Sequence, residues 1–206
     1  MTDRPPIVVK VGGGLLRAEG MEGLRRGCAE VTALAAAQPV LVVPGGGPFA
    51  DAVRAVDAQV RLADGIAHEL ALRAMDQLGV LLAPLLPEAE PLAELVAPRS
   101  IGLLLAAPAF AGRPEIPESW AVTSDSLAVL AAGAIGAKEA VLLKPAAGVP
   151  APGLRLTAAE LKNSQDTGDG RAVDLYLPEA VHRTGVTVIV RTPGSGSASG
   201  TRITRG

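Results

Sequence analysis

Two stretches of the sequence combine a short run of β-branched residues with three consecutive glycines. In one of them, VLVVP at residues 40–44 runs into Gly45, Gly46 and Gly47, and a mostly apolar periodic segment follows at residues 49–60. This order predicts a buried strand, a tight turn and a helix that begins at the turn. Glycines leave backbone N–H groups uncovered and a helix N-terminus carries partial positive charge, so the junction suits an anion such as phosphate.

The other stretch has the same design and lies near the start of the sequence. IVVKV at residues 7–11 leads into Gly12, Gly13 and Gly14, and Lys10 lies inside the predicted strand. The carboxyl ends of neighbouring parallel strands meet at one edge of an α/β sheet, which is where such sheets bind ligands. The pair of turns therefore predicts a phosphate-binding edge with a lysine beside it, although the turn at residues 45–47 has neither P-loop nor G-x-G-x-x-G spacing.

Composition limits the classes of function that the chain can have. The 206 residues suit a single domain, and with 49% apolar but only 2% aromatic residues the core must consist of Ala, Val, Leu and Ile. A net charge of −2 gives no overall attraction to nucleic acid or to an anionic membrane, so phosphate affinity must be local. The single cysteine, Cys28, excludes an internal disulfide and is expected to be buried. His68 and His182 are too few and too far apart for a zinc site.

The remaining pattern predicts alternating helices and strands. Helices are expected at residues 22–37, 64–86, 157–162 and 174–184, and strands at 139–143, 186–190 and, as a short edge strand, 201–204. Proline-rich residues 108–118 are expected to form a loop that Trp120 packs onto the domain. In the 64–86 helix, His68 lies off the predicted apolar stripe, so it is expected to be structural, exposed to solvent or in contact with a substrate.

Two carboxylates lie at predicted helix starts. In VTSDSLA at residues 122–128, Thr123 or Ser124 is the expected N-cap and Asp125 lies in the first turn. Asp125 either complements the helix dipole or, if this helix points at the glycine turns, holds Lys10 or binds magnesium. Asp51, beside the second glycine turn, either caps its helix or faces a polar or cationic group of a ligand.

Three motifs stand in the order and rough spacing typical of the amino acid kinase family, which the sequence resembles. They are KVGGG at residues 10–14, PGGGPFAD at 44–51 and VTSDSLA at 122–128. AVDLYLP at 172–178 and GTRI at 200–203 also fit, so the resemblance covers nearly the whole chain.

The resemblance implies a fold and a reaction. The fold is a three-layer αβα sandwich with a mainly parallel central sheet, in which an acceptor lobe at about residues 1–120 and a nucleotide lobe at about 121–206 form one domain. The short length and AHELALRAMDQLG at residues 67–79 look most like the kinases of methanofuran and methylofuran biosynthesis. These convert (aminomethyl)furanmethyl phosphate to the diphosphate.

The resemblance also implies roles for individual residues, with ATP and Mg²⁺ as cofactors. Lys10 would stabilise the transferred phosphoryl group, and Asp125 would orient Lys10 and organise the metal site. Phosphate and nucleotide contacts are expected from Gly12, Gly13, Gly14, Lys144 and Gly148. Substrate contacts are expected from Gly45, Gly46, Gly47, Asp51, Thr123 and Ser124.

One departure from the family pattern leaves alternatives open. KPAAG at residues 144–148 replaces the acidic or polar turn that is usual at the nucleotide site. The second lysine of the family is not evident near residues 168–171. Arg171 and Lys162 are the candidates to replace it. The alternatives to a kinase are a nucleotide- or oxyanion-binding or storage protein and a regulatory subunit. Lys10 and Asp125 favour the kinase. We expect a cytoplasmic homo-oligomer that binds small molecules but neither nucleic acid nor membranes.

Overall fold

Strands and helices alternate along the chain around one eight-stranded sheet. The computed structural model describes residues 4–146, 153–167, 172–196 and 199–206. The strands are β1 (Ile7–Val11), β2 (Val40–Pro44), β3 (Glu90–Leu92), β4 (Ile101–Leu104), β5 (Glu139–Leu143), β6 (Arg155–Thr157), β7 (Thr187–Arg191) and β8 (Thr201–Thr204). The helices are α1 (Gly13–Ala35), α2 (Gly47–Val60), α3 (Asp64–Leu82), α4 (Ala106–Phe110), α5 (Ser124–Ala134), α6 (Ala158–Thr167) and α7 (Leu177–Thr184).

The sheet is mainly parallel, as predicted. Its strand order is β3-β4-β2-β1-β5-β7-β8-β6, and among the strands of the described ranges only β7 and β8 pair in antiparallel fashion. β1 therefore lies at the centre between β2 and β5, with Lys10 opposite Val43 on one side and Leu142 on the other. The ends of β1, β2 and β5 consequently meet at one edge of the sheet, where the functional residues were expected.

Helices cover both faces of the sheet, which completes the predicted αβα sandwich. Along β1, Val9 and Val11 pack in an apolar cluster with α1, whereas Val8 packs in a second cluster with α5 and α7. Successive side chains of a strand point to opposite faces. Lys10 therefore emerges on the same face as Val8, on the side of the sheet where α5 packs.

Several boundaries differ from the predicted ones because glycine and proline act locally. α1 starts at Gly13 rather than at residue 22, and a sharp kink at Gly20 (φ 62°, ψ −148°) divides it. Only glycine adopts that backbone conformation without strain, so the kink lets the chain start a helix at the turn and then fold back over the sheet. α3 ends at Leu82 in a 3₁₀ turn that contains Pro84.

Other differences concern elements with weak sequence signals. Residues 155–157 form the edge strand β6, although no strand was predicted there and Thr157 was expected to start a helix. β8 lies inside the sheet between β7 and β6 rather than at its edge. α4 occupies the start of the predicted 108–118 loop. In α3, His68 is buried and Leu70 is 37% exposed, so the expected apolar stripe was wrong at both positions.

The expectation that the single cysteine is buried is met. Cys28 is a free, buried thiol, and burial raises its pKa to about 11. None of the helices in the described ranges has the length and apolarity needed to cross a membrane.

Candidate active site

The two glycine turns pack directly against each other at the end of β1 and β2. The N–H of Gly45 donates a hydrogen bond of 3.0 Å to the carbonyl of Val11, which joins the turns. A Cβ atom added to Gly13 would lie 2.0 Å from the Cα of Gly47, and Gly47 itself has a φ of 54°. Only glycines allow two backbones to approach this closely. The predicted side-by-side arrangement of the turns is therefore present.

Lys10 reaches from the central strand toward these turns. Its side chain is 7% exposed, and its Nζ lies 2.9 Å from Oδ1 of Asp125. A Cβ atom on Gly12 would come within 2.3 Å of that Nζ, so the ammonium group lies over the first turn. Lys10 thus points to the ligand-binding edge of the sheet and not into the apolar interior.

Asp125 holds two lysines, one with each carboxylate oxygen. It lies in the first turn of α5 and is 3% exposed. Oδ1 faces Lys10, and Oδ2 accepts a hydrogen bond of 2.5 Å from Nζ of Lys144. Burial alone would raise the pKa of Asp125, but the charges of both lysines outweigh burial and hold that pKa well below its usual value. Asp125 is therefore an ionised acceptor.

Lys144 joins the site through the turn that follows β5. Its backbone N–H donates to the carbonyl of Arg191 on neighbouring β7, which fixes the start of the turn. Burial lowers the pKa of Lys10, and the positive charge of Lys144 lowers it further, while Asp125 opposes both effects. Two cations are thus kept close together by one shared carboxylate.

Lys144 was predicted as a phosphate or nucleotide contact but not as a neighbour of the Lys10–Asp125 pair, which the structure shows it to be. Of the two candidates for a second cation, Lys162 is an exposed residue of α6 and lines a different cavity, with His182 and Arg205. Arg171 and Gly148 fall outside the described residues. The signal for Lys144 was its position directly after β5, the strand adjacent to β1.

The N-terminus of α5 is fixed by a carboxylate that the sequence analysis also missed. Thr123 is the N-cap residue of α5, one of the two predicted positions, but its side chain makes no cap hydrogen bond to the helix. Instead Oδ2 of Asp174 accepts hydrogen bonds from the backbone N–H and Oγ1 of Thr123 at 2.9 and 2.8 Å and from the N–H of Ser126 at 3.0 Å. The hydroxyl of Ser126 donates to Asp174 as well. A residue 49 positions from Asp125 therefore positions the helix that carries it.

A cavity of about 220 Å³ opens above these groups. Its wall contains nine of the predicted site residues: Lys10, Gly13, Gly14, Gly46, Gly47, Thr123, Ser124, Asp125 and Lys144. Gly12 and Gly45 lie behind this wall and touch it, since a Cβ on Gly45 would meet Gly12 and Gly13 within about 3 Å. The remainder of the wall is largely apolar, with Ala71, Leu72, Met75, Val122 and Leu127.

Two arginines that the sequence analysis did not single out also line the cavity. Oδ2 of Asp51 lies 2.7 Å from Arg17, and Oδ1 lies 3.1 Å from Arg54. Asp51 was expected to cap α2 or to face a ligand, but the structure shows it between these arginines. Its side chain is 42% exposed, so this ion-pair cluster lies at the mouth of the cavity.

Trp120 and His68 complete the wall on the α3 side. The indole N–H of Trp120 donates a hydrogen bond of 2.8 Å to the carboxylate of Asp57 on α2, and the guanidinium carbon of Arg54 lies 4.7 Å from the centre of the Trp120 ring. The expected packing role of Trp120 is thus extended to a contact with Arg54. Burial lowers the pKa of His68, against the opposing charge of Glu118, so its neutral form is favoured.

The described residues include no group of three or more His, Cys, Asp or Glu side chains that could hold a metal ion. Both oxygens of Asp125 already face lysines. Protein ligands alone therefore do not form a metal site in the described part of the cavity.

Comparison with known proteins agrees with this geometry. The sequence model of the amino acid kinase family matches residues 5–153. The [5-(aminomethyl)furan-3-yl]methyl phosphate kinase of Methanocaldococcus jannaschii is 27% identical over 146 residues, which are 68% of this chain and 67% of that protein.

Two solved structures share the fold at low sequence identity. Uridylate kinase from Archaeoglobus fulgidus superimposes with a TM-score of 0.70 at 19% identity, over 96% of this chain and 99% of that one. Aspartate kinase from Synechocystis gives a TM-score of 0.70 at 15% identity, over 98% of this chain and 40% of that one. The predicted family, fold and class of enzyme, a small-molecule phosphotransferase, are confirmed: the chain belongs to the amino acid kinase family.

Proposed function

We propose that the chain transfers the γ-phosphoryl group of ATP to a small phosphorylated or carboxylated acceptor bound in the cavity. The observation that carries this proposal is the buried cluster of Lys10, Asp125 and Lys144 beside two touching glycine turns. Phosphoryl transfer requires positioned charge more than covalent chemistry, because negative charge spreads over the transferred group. A pair of lysines at a phosphate-binding edge supplies that charge.

The two turns would divide the work between donor and acceptor. Backbone N–H groups of the first turn, at residues 12–14, would bind the transferred phosphoryl group, and those at residues 45–47 would bind the acceptor. Lys10 lies over the first turn and would stabilise the negative charge during transfer. Lys144 would contact the same phosphates from the side of β5.

Asp125 would act by positioning the lysines and not as a general base. An acceptor phosphate or carboxylate is already ionised near neutral pH, so no proton has to be removed before attack. When no phosphate is bound, the negative charge of Asp125 offsets the positive charge of the lysines. Asp125 also holds the Nζ atoms of Lys10 and Lys144 close together. Preorganised charge of this kind contributes most to a rate in a site that excludes water.

The described residues fit a nucleotide better than a protein-bound metal. Bound Mg²⁺ would neutralise phosphate charge, and it would be held chiefly by the phosphates because both Asp125 oxygens face lysines. Glycine backbone and two lysines are suitable partners for the phosphates themselves. Thr123 and Ser124, on the cavity wall, would add hydroxyl contacts to the substrates. The predicted nucleotide contact at Gly148 stays a prediction.

The preferred acceptor is (aminomethyl)furanmethyl phosphate, which would become the diphosphate in methanofuran or methylofuran biosynthesis. The relative from M. jannaschii is named for this substrate. The apolar wall formed by Ala71, Leu72 and Met75 suits a small flat ring. The acceptor phosphate would lie at the glycine turns with the ring against this wall.

Turnover of candidate acceptors tests the proposal. Purified protein with ATP and Mg²⁺ should release ADP with (aminomethyl)furanmethyl phosphate and form a diphosphate detectable by ³¹P NMR. Lys10→Ala should lower the rate about a thousandfold, because one transition-state charge contact is lost. Arg25→Gln, which removes an exposed arginine, is the control and should leave the rate unchanged. Binding of ATP without ADP release from any acceptor would favour a binding or regulatory protein instead.

The proposal includes a homo-oligomer in the cytoplasm. Val56 and Val60 on α2 and Ile66 on α3 are between 47% and 61% exposed, and such apolar side chains favour burial against another subunit. Light scattering coupled to size-exclusion chromatography should give a multiple of 20.8 kDa. A mass of one chain at micromolar concentration would contradict this part.

A further inference from the structure

The ion-pair cluster at the mouth of the cavity consists of two arginines and one carboxylate. Arg17 and Arg54 both contact Asp51, one through each oxygen, so two guanidinium groups share a single carboxylate. Elsewhere on the described surface, Arg25 and Arg73 are paired with carboxylates of their own, Glu22 and Glu69. Within these ion pairs, two guanidinium charges face one carboxylate charge.

Arg54 is also held in place from its other side. Its guanidinium carbon lies 4.7 Å from the centre of the Trp120 ring, and the indole N–H is anchored to Asp57 on α2. Asp57 is fixed in turn because its other oxygen accepts a hydrogen bond of 2.8 Å from the N–H of Leu62. A planar guanidinium that is oriented beforehand loses little conformational freedom when it binds an anion.

The arginines are placed where a ligand at the glycine turns would meet them. Arg17 follows the first turn by one turn of α1, and Arg54 follows the second turn by two turns of α2. Both line the same cavity as Gly13, Gly47 and Lys10. With the lysine cluster included, four cations in ion pairs around this cavity face two carboxylates, Asp51 and Asp125.

We propose that Arg17 and Arg54 are specificity-determining residues that select a phosphate monoester over a carboxylate as the acceptor. This assignment rests on the proposed phosphotransferase activity and narrows its substrate class. A phosphate monoester carries a charge of about −1.5 to −2 near neutral pH and three acceptor oxygens, whereas a carboxylate carries −1 and two oxygens. The phosphate can therefore bind a guanidinium fork while its other oxygens face the glycine turns, and it displaces Asp51 from the arginines.

Calorimetric titration with two matched probes tests the selection without requiring turnover. Phenyl phosphate and benzoate present the same ring with a phosphate or a carboxylate. Wild-type protein should bind phenyl phosphate more tightly than benzoate. In Arg17→Gln or Arg54→Gln, the affinity for phenyl phosphate should fall about tenfold, because a charge-assisted pair is lost, while the affinity for benzoate changes less than about threefold.

Two further variants separate a specific effect from a general one. Arg25→Gln removes an arginine with the same i, i+3 spacing to its carboxylate as Arg54 has to Asp51, and it should leave both affinities unchanged. Asp51→Asn frees the two arginines, so it should tighten phenyl phosphate binding about threefold. Equal losses for both probes in Arg17→Gln and Arg54→Gln, or no phenyl phosphate binding by the wild type, would overturn the assignment.

The kinase proposal and the selectivity proposal fail in distinguishable ways. If ATP-dependent transfer occurs but Arg17→Gln and Arg54→Gln do not change the preference for phosphate, the selectivity assignment is wrong and the kinase stands. If no acceptor is phosphorylated but the arginine variants lose phenyl phosphate selectively, the arginines are confirmed as an anion site and the kinase proposal is wrong.

Discussion

Two carboxylates in this molecule each hold two cations, and their surroundings differ. Asp125 lies between Lys10 and Lys144 in a buried site, whereas Asp51 lies between Arg17 and Arg54 at the surface. The side-chain exposures of the two carboxylates are 5% and 42%. Their charges are equal, so burial decides what each cluster can do. The buried cluster is costly to disrupt and suits catalysis, while the exposed cluster exchanges partners easily and suits recognition.

The largest difference between the clusters should appear when each carboxylate is neutralised. Asp125→Asn leaves the buried Lys10 and the half-buried Lys144 without compensation, so the free energy of unfolding should fall by about 3 kcal/mol. Asp51→Asn should change it by less than about 1 kcal/mol, since water screens the exposed arginines. Urea unfolding followed by circular dichroism measures both. Similar values for the two variants would contradict the distinction by burial.

Lys144 and Lys162 should differ in their effect on phosphoryl transfer. Lys144→Ala should lower the rate of phosphoryl transfer about a hundredfold, because the substitution removes one of the two cations that contact the transferred group. Lys162→Ala is the matched control, since Lys162 lines a separate cavity, and its rate should equal that of the wild type. Steady-state ADP release gives both rates. A large loss in Lys162→Ala with normal activity in Lys144→Ala would show that the assignment of the second lysine is wrong.

A smaller effect is expected from the residue that supports the buried cluster. Asp174→Ala removes the acceptor for the N–H groups of Thr123 and Ser126, so stability should fall by about 1–2 kcal/mol, as for a lost helix cap. Because the start of α5 then loosens, kcat should fall more than the affinity for ATP. Thermal unfolding and initial rates measure the two effects. Unchanged kcat together with lost stability would limit Asp174 to a structural role.

The smallest effect is a pH dependence at the α3 wall. Burial lowers the pKa of His68 from its ordinary value of 6.5. At a pH between the folded and the unfolded pKa, the unfolded chain therefore binds the proton more readily than the folded protein does. The contribution of His68 to stability is therefore complete above about pH 6.5 and is lost as pH falls below it. The difference in unfolding free energy between wild type and His68→Gln should shrink on acidification from pH 8 to pH 5. A difference that grows would reverse the sign of the inferred shift.

The sequence predicted the elements in which local chemistry and tertiary packing agree. β1 and β2 were predictable because β-branched runs end in glycines. The residues alone left Asp125 between a helix-dipole role and a contact with Lys10 or magnesium, and the structure shows the contact with Lys10 that the family resemblance implied. The β6 strand was missed because its three residues are half-exposed and pair only at the edge of the sheet.

The parts of the site that the sequence did not reveal depend on contacts between distant segments. Asp174 caps a helix that starts 50 residues earlier, and Arg17 meets Asp51 across 34 residues. Neither pair has a local spacing signal, because each is created by the packing of two elements at the sheet edge. Lys144 was visible as a residue, but its contact with Asp125 depends on the parallel pairing of β5 with β1.

The position of the transferred group relative to the buried cluster tests the central claim most directly. A crystal structure with ADP, Mg²⁺, aluminium fluoride and (aminomethyl)furanmethyl phosphate would hold a mimic of that group in place. We expect the fluoride within about 3 Å of Nζ of Lys10 and of the backbone N–H groups at residues 12–14. Lys144 should contact it as well. A fluoride bound away from both glycine turns, with Lys10 still bound only to Asp125, would contradict the account.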